Sequence, residues 1–286
     1  MLSNLKSRKI RNWCFFDFGI SSYPTLILTF FYGAFYARSI ASSPEIGTSN
    51  WGFSISLASI LSFLIFSVIL IHGKIFFKKI KMSFFLTFFY ILVVSSFSLF
   101  FFDKGSNQFL PLLIIVVSLI SFEVVNLFYN LSLHKVSNKN EEGLISNLGW
   151  GFGYLGGLIS LLIVFSFIQL TKHYEYQILG ISVFLLVGPF VGIWTLIFGY
   201  MHLRDFIKTV FDIPTLIDFF KNVKDENLLN FVYSYFFFNN AVVSIFAFAG
   251  MFASFLFGLT ESDILFLGVF INLFGIVGCF SLGRIE

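Results

Sequence analysis

Eight apolar stretches, each long enough to cross a bilayer, constrain this chain more than any other feature. They run Trp13–Ala37, Trp51–Ile71, Met82–Phe102, Phe109–Leu133, Leu144–Leu170, Tyr176–His202, Leu229–Gly258 and Ile264–Leu282, and are numbered here as spans one to eight. A hydrocarbon core ~30 Å thick takes about 20 helical residues, and every run reaches that length. The runs are apolar on every face, whereas lipid-spanning strands alternate apolar with polar residues, so helices are expected and strands are not. Composition agrees, because only 12% of residues are charged and 57% are hydrophobic, against about 25% charged in an average soluble domain. A soluble enzyme, a disordered tail and a nucleic-acid binder are thereby disfavoured. Phenylalanine supplies 45 of the 286 residues, an excess that fits a lipid solvent or a biased genome and points to no function.

The basic residues orient the spans, since translocated loops are poor in Lys and Arg. Fifteen of the 18 lie on one side: Lys6, Arg8, Lys9, Arg11, Lys74, Lys78, Lys79, Lys81, Lys135, Lys139, Arg204, Lys208, Lys221, Lys224 and Arg284. Arg38, Lys104 and Lys172 lie on the other. Both termini and the even-numbered loops are therefore expected in the cytoplasm, with the chain in a bacterial inner membrane. The first apolar run exceeds the core of a signal peptide and reads as an uncleaved span. Cys14 and Cys279 fall at cytoplasmic span ends, where thiols stay reduced. Between spans six and seven, Leu203 to Asn227 mixes apolar residues with regularly spaced charges, which predicts an amphipathic surface linker broken at Pro214.

A partial repeat supports a division there. Setting Asp17 against Asn240 pairs Ile20 with Val243 and Ser21 with Ser244, and setting span two on span eight pairs Gly52 with Gly268 and Ser56 with Asn272. Repeats of six spans build one large transporter class.

Two of the 15 acids, Asp17 and Glu123, lie inside spans. A charge at mid-bilayer costs about 2.5–3.5 kcal/mol on insertion scales, so such acids face protein or a water-filled cavity. Asn126, Asn130 and His134 follow Glu123 at helical spacing. They form either a cavity-lining stripe, in which Glu123 carries a coupling proton, or a hydrogen-bond ladder between helices. Asp17 lies about 6 Å beyond Trp13 along a helix, so it could act as a coupling acid or simply favour a helix N-terminus. In span five, Gly149, Gly153, Gly156 and Gly157 predict a close-packing face that is static or sliding. Asn239 and Asn240 in span seven could bond a solute or a neighbouring helix. The four histidines match no metal-ligand spacing, so neither a metal nor a cofactor is expected and an enzyme is disfavoured.

The segment WCFFDFGISSYPTLILTF, Trp13 to Phe30, resembles the opening of the vacuolar effluxer-like branch of the major facilitator superfamily. FYN at Phe128–Asn130, NLGWGFGYLGG at Asn147–Gly157 and FNNAVVSIFAFAG at Phe238–Gly250 are similar to its span four, five and seven signatures. The resemblance implies alternating access between two six-helix bundles, with substrates such as amino acids. It also raises Asp17, which matches a motif position. The sequence departs from the pattern in the span two–three loop, which lacks an Asp, at His134 and Lys135, and at Asn240 where an acid is expected. On this reading residues 1–203 form the first six-helix bundle, 204–227 a cytoplasmic linker and 228–286 the first two helices of a second.

The fold class is thus an all-α polytopic membrane protein. The leading expectation is a secondary transporter of a small solute, truncated after span eight or completed by a downstream polypeptide supplying spans nine to twelve. Its partners are the lipid bilayer, the solute and a coupling proton, with no nucleic acid. Asp17, Glu123, Asn126, Asn130 and Asn240 are the candidate site residues. The competing expectation is a non-transporting fragment or a membrane interaction subunit.

Overall fold

In the computed structural model, residues 5, 7–178, 180–200 and 226–282 are described. The linker expected over 204–227 lies outside them up to residue 225, as do Lys6, Arg204, Lys208, Lys221, Lys224 and Arg284. Lipid offers no hydrogen bonds, so apolar runs must satisfy their backbone internally, and they do so as helices. Among the described residues seven helices are long and apolar enough to cross a membrane. They are Arg8–Ile40, Pro44–Ile69, Ser83–Phe101, Phe109–Val136, Glu142–Thr171, Glu226–Phe257 and Glu261–Ser281, and a shorter apolar helix covers Val183–Gly199.

Span six differs from the expected Tyr176–His202. Gln177–Ile178 and Ile181–Ser182 pair as a small antiparallel hairpin. Gly180 has φ 78°, and Glu175 and Tyr176 adopt φ 51° and 60°. An α-helix cannot run through left-handed residues, so the apolar helix starts only at Val183.

Spans two and three are helical from Pro44 to Ser98. A straight helix would set Trp51 and Leu99 ~72 Å apart. Tyr36 prevents this. Its ring lies 6.1 Å from that of Trp51, and its hydroxyl donates to Gln108 O at 3.1 Å, only nine residues and at most ~32 Å of chain beyond Leu99. The element therefore has two arms that lie side by side in opposite directions, as the apolar pattern predicts.

Span one is the central post. It begins as an α-helix, Arg8–Ile20, and widens to π-helix over Tyr23–Phe30 and again over Tyr36–Ile40. Pro24 opens the first wide segment, because its nitrogen carries no hydrogen to continue the α-ladder. Two apolar clusters stack along this post. One joins Ile10–Ile20 to Ile69, Phe85, Phe89, Val124, Phe128 and Leu148. The other joins Tyr23–Ile40 to Trp51, Leu92, Leu119, Leu158, Val187 and Met251. Successive spans thus traverse the post in alternating directions, and the level where the clusters meet marks the middle of the helical layer.

Span seven is exposed from Glu226 to Ala241 and is buried only towards its end, at Ala247, Gly250, Met251, Ala253 and Ser254. A β-carbon on Gly250 would strike Thr29 O of span one. At this end Gly258, φ 66°, stops the helix, and Leu259 N–H returns to Ala253 O, a glycine C-cap. Arg38 of span one then donates to Leu259 O at 2.7 Å and Ser254 O at 3.4 Å and pairs with Glu261 at 3.0 Å. A cation at a helix C-terminus and an acid in the first turn of the next helix both complement the helix dipoles.

Arg38 serves three acceptors while Glu261 serves one donor, so the two truncations should differ. Arg38→Ala is expected to cost about 2 kcal/mol and Glu261→Gln about 1 kcal/mol, since the pair is partly solvated. Thermal unfolding in detergent checks this by giving the larger drop to Arg38→Ala.

Candidate functional site

The polar edge of span one meets the glycine face of span five. Asp17, Ser21 and Thr25 recur every four residues, which places them on one side of the helix. Ser21 Oγ donates to Asp17 Oδ1 at 3.2 Å, and Thr25 Oγ1 donates to Ser21 O at 2.7 Å. Opposite lie Gly149, Gly153, Gly156 and Gly157 of span five, all buried. A β-carbon added at Gly153 would sit 2.7 Å from Asp17 Oδ2 and 2.8 Å from Ser21 Oγ. At Gly157 it would sit 2.6 Å from Thr25 Oγ1 and 2.8 Å from Asn272 Oδ1. Gly156 rests on the Phe18 backbone, and Gly149 rests on the Trp13 ring and the Tyr129 hydroxyl. Trp13 in turn stacks on Tyr129 at 4.3 Å and donates Nε1–H to Ser132 Oγ at 3.0 Å. The expected packing glycines and the expected acid are therefore one structure.

Asp17 lies beyond the first turn of its helix. The helix starts at Arg8, so Asp17 is ~14 Å along it. Helix-dipole stabilisation is confined to the first turn, so an N-terminal role does not fit. Asp17 is half-buried, and among the described residues no cationic side chain pairs with it.

Glu123 occupies a comparable level on span four, between Leu119 of one apolar cluster and Val124 of the other. The neighbouring Phe122 ring packs 5.4 Å from Tyr23, whose hydroxyl shares a 2.5 Å hydrogen bond with Ser118. Glu123 is half-buried and has no hydrogen-bond or ion-pair partner among the described residues. Asn130 Nδ2 donates to Asn126 Oδ1 at 3.3 Å within the same helix, and Asn130 and His134 are exposed. This bond is internal to span four. Asn240 stands apart: it is exposed, donates to Phe236 O of its own helix at 2.7 Å, and is not brought to Asp17 or Glu123 by any described contact.

Sequence reasoning did not single out Asn272 as a site residue. It is 4% exposed, and its Nδ2 donates to Gly268 O at 2.8 Å, which leaves its oxygen facing Gly157. The signal was visible, since Asn272 is the one amide inside an otherwise apolar span eight. A groove of about 530 Å³ between spans three and four, lined by Tyr90, Val94, Leu113 and Val117, is apolar and excludes every candidate residue. Among the described residues no three His, Cys, Asp or Glu cluster as metal ligands. Cys14 and Cys279 are free thiols.

The chain is similar to the Uncharacterized MFS-type transporter YxiO of Bacillus subtilis (strain 168). The two are 25% identical over 214 residues, covering 71% of this chain and 48% of the relative. The chain thus spans about half the length of that protein. No protein-family model matches the chain, and no solved structure matches it.

Glycine positions test the seam between spans one and five. Gly156→Ala places a methyl against immovable backbone, and overpacking of this kind costs about 1–3 kcal/mol. Gly278, with nothing within 4 Å of an added β-carbon, should instead gain up to ~1 kcal/mol as Ala through helix propensity. Comparing the two melting temperatures checks the opposite signs.

Proposed function

We propose that the chain is a secondary transporter of a small solute, or a major part of one, and a distant member of the major facilitator superfamily. The similarity to an MFS-type transporter supports this reading, and the helical architecture is compatible with it. The observation that carries it is Asp17: an acid inside span one, lying against buried glycines and without a cationic partner among the described residues. Acids inside membrane spans serve solute and ion pathways by default. Glu123, at a similar level and equally without a partner, is the second charge and the candidate carrier of a coupling proton.

The finer reading follows from the motif resemblance. Residues 1–203 act as one bundle, 204–227 as its cytoplasmic linker and 228–286 as the start of a second, with both termini cytoplasmic. The solute is polar or amphipathic, such as an amino acid, and Asn126, Asn130 and Asn240 line its path at a stage of the cycle when the helices enclose them. Further spans, from a longer chain or a separate polypeptide, complete the second bundle. Transport rather than catalysis is the reading that the similarity to an MFS-type transporter supports.

Reconstitution tests the proposal. In proteoliposomes with an imposed pH gradient, the chain, alone or together with a four-span partner, should accumulate a radiolabelled amino acid or similar solute. Glu123→Gln should abolish uphill accumulation while sparing exchange. Asp17→Asn should slow both by about tenfold or more, the equivalent of ~1.4 kcal/mol in the barrier. Failure to move any solute that the Bacillus subtilis relative moves in parallel would overturn the reading.

A further inference from the structure

Span three, Ser83–Phe101, has 19 residues and is ~28 Å long, about the depth of the hydrocarbon core, so its ends mark the two membrane faces. The groove beside it runs from Ser98, one turn short of the end that meets the span three–four loop, to Thr87. That stretch covers ~16 Å of helix, and one leaflet of hydrocarbon is about 15 Å deep. The groove therefore opens on a single leaflet, and its walls at Val94 and Leu113 are exposed. The hydroxyls that line it are spent on their own helix. Thr87 donates to Ser83 O at 2.8 Å, Ser95 to Ile91 O at 2.6 Å and Ser98 to Val94 O at 2.8 Å. Tyr90 alone adds a further hydroxyl, whereas a polar solute needs several placed polar groups. At the Ser98 end, the loop over 102–108 carries one acid and one base, Asp103 and Lys104, both exposed. Asp103 Oδ1 accepts the Lys104 backbone N–H at 2.7 Å, and Asp103 N–H donates to Ser106 Oγ at 2.9 Å, which holds both residues in the turn.

We infer that the groove between spans three and four holds an acyl chain of one phospholipid with a primary-ammonium headgroup, its phosphate against Lys104 and its ammonium against Asp103. The groove's depth selects a lipid over a further helix, because a helix crosses both leaflets and the groove serves one. Its volume of about 530 Å³ and its walls without free donors beyond Tyr90 suit hydrocarbon. The paired charges select the headgroup. An anionic lipid would meet Asp103 beside Lys104, and an N-methylated one brings no N–H to the carboxylate. The inference needs only the membrane setting and stands whether or not the chain transports a solute.

Native mass spectrometry tests this on the full chain, released from micelles that contain phosphatidylethanolamine, phosphatidylcholine and phosphatidylglycerol in equal amounts. One phosphatidylethanolamine should stay bound, about threefold over the other two, the scale of an exposed ion pair. Val94→Trp fills the groove from an exposed position and should remove the bound lipid. Ile60→Trp, on the exposed side of span two and outside the groove, should leave it in place. Lys104→Gln and Asp103→Asn should each abolish the headgroup preference while the chain stays folded, since both side chains are exposed. Equal lipid retention in the two Trp variants means an unselective lipid annulus and overturns the inference. Retention of all three lipids to the same extent by the unmodified chain, or a preference that survives both charge substitutions, overturns it as well.

Discussion

The structure depends on the contact between span one and the glycine face of span five. Without β-carbons at positions 149, 153, 156 and 157, the backbones approach until the Phe18 carbonyl rests on Gly156. In lipid there is no hydrophobic force to drive helices together, so close backbone approach and polar contacts must hold them. The same approach sets Asp17 and Ser21 directly against Gly153 of span five. Packing and chemistry are therefore inseparable here: the residues that let the helices touch are those that give the acid its surroundings.

Around this seam the molecule is asymmetric along span one. At the end marked by Arg38, span seven is held by a glycine contact, two carbonyl bonds and an ion pair. Towards its other end span seven stands free of the remaining described helices. One end is tied and the other open, with Asp17 and Glu123 at the level between.

Much of the fold was legible in the sequence because lipid makes it so. Apolar length predicts spans, and Gly149 to Gly157 announced a packing face before any partner was known. What the sequence left open was local backbone. Span six loses seven residues to a hairpin because Gly180 and the left-handed Tyr176 break the helix, and hydropathy does not register dihedral angles. That Asp17 stands beyond the first helical turn is not legible in hydropathy, because the helix starts at Arg8, ahead of the apolar run. The site was half visible. Asp17 and Glu123 stood out as membrane acids, whereas Asn272 gained meaning only when folding set it against Gly157, 115 residues earlier in the chain. Asn240 was promising as the repeat partner of Asp17, yet a shared repeat position carries no information about contact.

The central claim is the seam itself, and a disulfide across it is the most direct measurement. With Cys14 and Cys279 replaced by Ala, Ser21→Cys and Gly153→Cys are introduced together and oxidised in native membranes. A β-carbon at position 153 falls 2.8 Å from Ser21 Oγ, within the reach of a disulfide, whose β-carbons lie about 3.5–4.5 Å apart. The account predicts near-complete cross-linking, with solute uptake lost on oxidation and restored by a reductant. Absence of the cross-link, or uptake unaffected by complete cross-linking, would contradict it.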